Sequence, residues 1–163
     1  MNVYPIEAGN FKLDGGAMFG VVPKSLWTRT NPADADNMIE MSSRCMLVEN
    51  SDKLILVDTG MGDKQSEKFF KYYKRWGSDN LVKSINSAGF SIDDVTDVLL
   101  THLHFDHCGG AVAWDSSKEA YDVLFKNANY WSNEKHWDWA TSPNPREKAS
   151  FLKENLLRLE ESG

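Results

Sequence analysis

Three of the four histidines in this chain fall within six residues, in Thr101-His102-Leu103-His104-Phe105-Asp106-His107. At the chain's composition the pattern H-x-H-x-D-H arises by chance in roughly 2 of 10,000 chains of this length. The spacing restricts the backbone. Side chains two apart share one side of an extended strand and point nearly opposite ways on a helix. His102 and His104 can therefore reach one ion together only from extended chain. The run Asp97-Val98-Leu99-Leu100-Thr101 before them reads as a buried strand. That places the histidines at the carboxyl edge of a sheet, where ligands bind in α/β proteins. Asp106 and His107 follow a turn and can face a second ion beside the first. Neutral imidazole and carboxylate suit Zn²⁺ at about 2.0–2.2 Å, and a mixed N/O set of this kind also holds Fe or Mn. Cys108 reads as a small packed residue beneath the site, because Gly109-Gly110 behind it signals close packing of a helix start. His136, among Trp131, Trp137 and Trp139 on a predicted helix, reads as a surface or packing residue.

The rest of the chain reads as a mixed sheet with helices stacked on one face. Val3–Leu13 has strand composition broken at Gly9-Asn10, a hairpin signal, and Asp14-Gly15-Gly16 is a turn. Met18–Pro23 reads as a short apolar strand and Lys24–Asn37 as an irregular loop. Arg44–Glu49 and Lys53–Asp58 flank Asn50-Ser51-Asp52 as an antiparallel hairpin. The apolar run Leu54–Val57 suggests a strand covered on both faces. Helices are expected over Asp63–Trp76, Asn80–Ala88 (capped by Asn80, stopped by Gly89), Ser132–Ala140 and Arg146–Glu160, with a turn at Ser91–Asp94. Tyr121–Phe125 is read as a third buried strand.

Composition excludes several classes. Hydrophobic residues are 41% and aromatics 12% of the chain, far from a disordered composition. No run of about 18 apolar residues exists, so no membrane partner is expected. The net charge of −6 argues against nucleic acid as a partner. Met1–Ala8 lacks a basic region followed by an apolar stretch. Cys45 and Cys108 make no disulfide framework. A cytoplasmic location is expected, with secretion after loss of a leader left open.

The motif H-x-H-x-D-H followed by Gly-Gly, after a strand ending in Thr, resembles that of the metallo-β-lactamase superfamily of metallohydrolases. Asp58, in Leu56-Val57-Asp58-Thr59-Gly60, matches a second hallmark. The segment Leu13–Trp27 is similar to the N-terminal part of quorum-quenching N-acyl-homoserine lactonase-like and organophosphate hydrolase-like members. The resemblance implies an α/β (α+β) fold, an αββα sandwich of which this single domain, residues 1–163, is the first half only. It implies two divalent ions, zinc first and Fe or Mn as alternatives. His102 and His104 would hold one ion and Asp106 and His107 the other, with Asp58 steadying the metal loop. A hydroxide activated by both metals would attack an ester or lactone carbonyl, and Asp106 would act as the catalytic proton carrier. Thioesters, phosphotriesters and phosphodiesters are alternatives within that class. Met18, Phe19 and Val21 would either wall the substrate pocket or be ordinary core.

The family's second half supplies a third His, a bridging Asp and a further His, and none is assigned here. The expectation is therefore a fragment of a longer protein, inactive or weak alone, with an apolar sheet face exposed. Two other readings stand beside the hydrolase. One is a catalytically silent metal-binding half-domain that associates with a partner or a second copy as a homodimer. The other is an iron-dependent redox enzyme of the same fold.

Overall fold

A computed structural model describes residues 1–162 of the chain. The elements run β1 (Asn2–Asp14), α1 (Gly15–Phe19), α2 (Lys24–Trp27), β2 (Met38–Asn50), β3 (Lys53–Val57), α3 (Glu67–Tyr73) and α4 (Leu81–Ser87). They continue with β4 (Asp97–Leu99), α5 (Phe105–Cys108), β5 (Val112–Trp114), β6 (Tyr121–Val123), β7 (Asn129–Trp131), α6 (Glu134–Thr141) and α7 (Lys153–Glu161). Five strands form one sheet in the order β1-β2-β3-β4-β7. Its first two pairings are antiparallel and its last two parallel. This is the mixed sheet expected from the sequence.

One face of the sheet carries the core. Ile6, Cys45, Leu47, Leu54, Leu56 and Val98 are buried there against Leu81 and Ile85 of α4 and Leu156 and Leu159 of α7. The other face is apolar but open. The register places Met46 beside Val57, Val57 beside Leu99 and Leu99 beside Trp131, and Met46, Leu99 and Trp131 are exposed. The expectation of a β3 covered on both faces is corrected accordingly. Leu54 and Leu56 are buried, while Ile55 and Val57 are only partly so, because the helices pack on one side. Among the described residues, no helix is long and apolar enough to cross a membrane.

Several local expectations are also corrected. Gly9-Asn10 marks a bulge inside one long strand. The register steps from Glu7 opposite Arg44 to Asn10 opposite Ser42, two residues facing one. Met18–Pro23 is not a strand, because Asp14 caps the turn α1 by accepting the Ala17 N–H at 2.8 Å. The Lys24–Asn37 loop contains the one-turn helix α2. The helix expected over Asp63–Trp76 begins only after its Ser66 cap and stops at Lys74, which adopts a left-handed conformation. Tyr121–Val123 pairs with its near neighbour β5 in a separate two-stranded sheet, and β7 takes the expected place beside β4. The last helix starts at Lys153 rather than Arg146, since the Asn144 side chain accepts the Arg146 and Glu147 N–H groups in a local turn. The Asn80 cap of α4 and the turn at Ser91–Asp94 agree with the sequence reading, and the structure adds a capping box between Ser91 and Asp94.

Candidate metal centre

Two adjacent strand ends build the site. β3 ends at Val57, and Asp58 follows with φ +59°, a left-handed conformation that non-glycine residues adopt at a cost and that clusters at functional sites. Its backbone N–H donates to Leu99 O of β4 at 2.9 Å. The turn aims the Asp58 carboxylate across the strand ends. Oδ1 accepts the Thr101 N–H at 2.8 Å and the Thr101 hydroxyl at 2.9 Å. Oδ2 lies 2.9 Å from His107 Nδ1. Burial pushes the Asp58 carboxyl up, but the hydrogen bonds from His107 and Thr101 outweigh it and hold its pKa below the usual value.

The strand geometry stops early. β4 ends at Leu99, and Thr101–His104 is irregular chain. His104 itself is extended, with φ −66° and ψ 149°, and precedes the single helical turn α5 that carries Asp106 and His107. The His102 ring centre lies 4.7 Å from that of His104 and 3.9 Å from that of His107. His107 Nε2 stands 3.6 Å from Asp106 Oδ2. The four residues read as ligands from the sequence, His102, His104, Asp106 and His107, are thus linked neighbour to neighbour on one loop, with Asp58 against His107.

The protonation states follow from the surroundings. Burial, then the neighbouring His107 and His104, lowers the His102 pKa. Burial is also the largest influence lowering that of His104. Both rings are accordingly neutral at pH 7, the form that donates a lone pair to a metal. Burial works the same way on His107, but its hydrogen bond to Asp58 and the charge of Asp106 overcome it and raise its pKa. Asp58 at Nδ1 leaves His107 Nε2 facing Asp106. Among the described residues no group of three or more His, Cys, Asp and Glu side chains forms a cage able to hold an ion. Imidazole and carboxylate, the donor types present here, suit a divalent ion.

A second loop clamps this one. Thr59 is fully buried, and its N–H and hydroxyl both donate to His107 O, at 2.7 and 2.9 Å. The Gly110 N–H donates to Gly60 O at 3.0 Å. Gly109 and Gly110 are required by close approach: a Cβ at either would lie 2.2 Å from a backbone oxygen, of Met61 and Thr59 respectively. They open a single 3-10 turn, Gly109–Ala111, directly after α5, in keeping with the tightly packed helix start expected there. The buried Lys64 ammonium donates to Gly109 O.

Cys108 is fully buried, and its thiol donates to Leu103 O at 3.3 Å. Burial pushes that thiol up to about 12, so it sits beneath the site as a packed thiol. Beside Asp106 and His107 lies a cavity of about 120 Å³, lined also by Phe11, Met41, Ser43 and Asp58. Met18, Phe19 and Val21 do not line it. Phe19 stacks on Trp27 with ring centres 4.9 Å apart, while Met18 and Val21 are exposed. The α1 turn, unforeseen in the sequence, produces that placement. Thr59 and Lys64 escaped the sequence reading because their partners lie 45 to 48 residues away. His136 also touches the motif, accepting the Leu103 N–H at Nε2.

A family profile described as Metallo-beta-lactamase superfamily matches residues 39–161. An N-acyl homoserine lactonase of Bacillus cereus is 28% identical over 104 residues, 58% of this chain and 40% of that protein. A crystal structure of a probable metal-dependent hydrolase from Staphylococcus aureus superposes with a TM-score of 0.89 at 28% identity, covering 99% of this chain and 57% of that one. AidC, a dizinc quorum-quenching lactonase in complex with a product, shares the fold with a TM-score of 0.63 at 24% identity, over 98% of this chain and 56% of that one. The chain thus spans 40% of the lactonase and 57% of the hydrolase.

Proposed function

The chain belongs to the metallo-beta-lactamase superfamily, and from that premise we propose that the protein carrying it is a metal-dependent hydrolase of esters or lactones. Its likeness to N-acyl homoserine lactonases favours a lactone of that kind. The observation that carries this reading is the gathering of three imidazoles and two carboxylates at the ends of β3 and β4. In this reading His102 and His104 hold one divalent ion, and Asp106 and His107 hold a second. Imidazole and carboxylate suit zinc, and also iron or manganese. Ions bound there would polarise the substrate carbonyl and lower the pKa of water.

The residues of this chain have distinct tasks. Asp58 keeps a proton on His107 Nδ1, which leaves Nε2 free to ligate. The clamp of Thr59 on the His107 carbonyl fixes the ring's position. His102 and His104 remain neutral because they are partly buried. Asp106, on the cavity beside His107, takes a proton from water and returns it to the leaving alkoxide. Phe11 and Met41 give that cavity an apolar wall. The test is hydrolysis of an N-acyl homoserine lactone by the zinc-loaded whole protein. His104→Ala is expected to lower the rate by more than ~100-fold. An unchanged rate would sink the assignment.

A further inference from the structure

We infer that His136 is a positioning residue that holds the peptide between His102 and His104; this rests on reading those two as metal ligands. His136 Nε2 accepts the Leu103 backbone N–H at 2.9 Å, across 33 residues of sequence. A backbone N–H can only donate, so Nε2 is the acceptor and the ring proton sits on Nδ1.

The contact replaces support that the sheet no longer gives. The sheet's last tie to this segment is Leu100 N–H to Trp131 O at 2.9 Å. Beyond it the chain is irregular up to α5. Leu103 is instead held at each of its groups. His136 takes the N–H, the Cys108 thiol donates to the carbonyl at 3.3 Å, and the side chain is fully buried. Since His102 and His104 flank this peptide, a rotation of it would move both imidazoles together.

His136 is itself anchored. The Asn133 side chain accepts the His136 N–H at 3.2 Å as the cap of α6, and Ala140 on the same helix is buried. Phe151 packs against both rings, with centres 4.9 Å from His104 and 5.7 Å from His136. Helix α6 and the metal loop are thereby joined through one side chain.

The experiment measures zinc affinity of the chain by competition with a chromophoric chelator, together with hydrogen exchange at the Leu103 amide. His136→Leu removes the acceptor. His136→Asn keeps polarity but falls short of Leu103. His136→Gln keeps an acceptor at similar reach. The Leu and Asn variants are expected to bind zinc about tenfold more weakly and to exchange the Leu103 amide faster. The Gln variant is expected to stay within ~3-fold of the unchanged chain. Zinc binding unaltered by Leu and Asn, or a Gln variant as weak as both, overturns the positioning role. His104→Ala separates the two readings. If it leaves zinc binding intact, the metal reading fails and takes this role with it. If it abolishes binding while His136→Leu changes nothing, the metal reading stands and the positioning role falls.

Discussion

Asp58→Asn isolates the contact on which the proposed role of His107 as a metal ligand depends. Asn tolerates the left-handed backbone that Asp58 adopts, so strain is unchanged. Its carbonyl can still accept from Thr101. The main loss is the Oδ2 contact with His107 Nδ1 at 2.9 Å, where an amide N–H would face a ring N–H; the Thr101 hydroxyl, 2.8 Å from the same atom, can accept from that amide instead. A hydrogen bond to a charged partner contributes roughly 1.5–3 kcal/mol. Asp58 is 15% exposed but His107 is 36% exposed, so screening brings the expected cost to about 2 kcal/mol. The sign sets the window. Asp58 has a lowered pKa, so its contribution is present above the ordinary carboxyl value of 3.8 and fades as pH falls through the folded value. His107 has a raised pKa, so its contribution is present below 6.5 and fades as pH rises through the folded value. Urea unfolding of the metal-free chain should therefore show the widest gap between about pH 4 and 6.5. To relieve the clash His107 must move its proton to Nε2, the nitrogen facing Asp106. Zinc affinity should then fall by about 10–100-fold. A variant within ~0.5 kcal/mol of the parent at pH 5–6, with unchanged zinc affinity, would refute the reasoning.

Three further outcomes follow from the clamp and the core. Burial lowers the Lys64 pKa from 10.5 to about 8, so the folded state releases its proton before the unfolded state does. Stability due to Lys64 rises with pH between those values, and the gap to Lys64→Met, followed by denaturation from pH 7.5 to 10, should shift in the parent's favour by up to about 3 kcal/mol. A constant gap would contradict the burial of a charged ammonium. Gly110→Ala places a Cβ against Thr59 O and should cost at least ~2 kcal/mol in urea unfolding; a neutral result would mean the two loops are not in contact. Cys45 and Cys108 are buried, with thiols pushed up to about 12, so neither should react with a thiol reagent until denaturant is added. Rapid labelling of Cys108 in the folded chain would contradict its place beneath the site.

The chemistry was more legible than the local structure. The spacing of His102, His104, Asp106 and His107, with Asp58 at the end of a second apolar run, is a local pattern that does not depend on how the chain closes. The β2–β3 hairpin and the Asn80 cap were legible for the same reason. The illegible parts depend on distant partners. Gly9 gave a turn signal, but eleven residue pairs with β2, on both sides of it, absorb it as a bulge. Met18–Pro23 is apolar enough for a strand, yet one Asp14 cap tips it into a helical turn. Tyr121–Val123 has strand composition, but the choice between the main sheet and β5 lies outside any window of sequence. His136 carries no mark of its link to Leu103, because the link joins a helix to a loop at no motif spacing.

The central claim is that His102, His104, Asp106 and His107 hold the metal and that Cys108 does not. Zinc K-edge X-ray absorption of the zinc-loaded protein tests it directly. The account predicts a shell of nitrogen and oxygen at about 2.0–2.1 Å with the outer scattering of imidazole rings, diminished in His104→Ala. Sulfur at about 2.3 Å, or a shell without imidazole scattering, would contradict it.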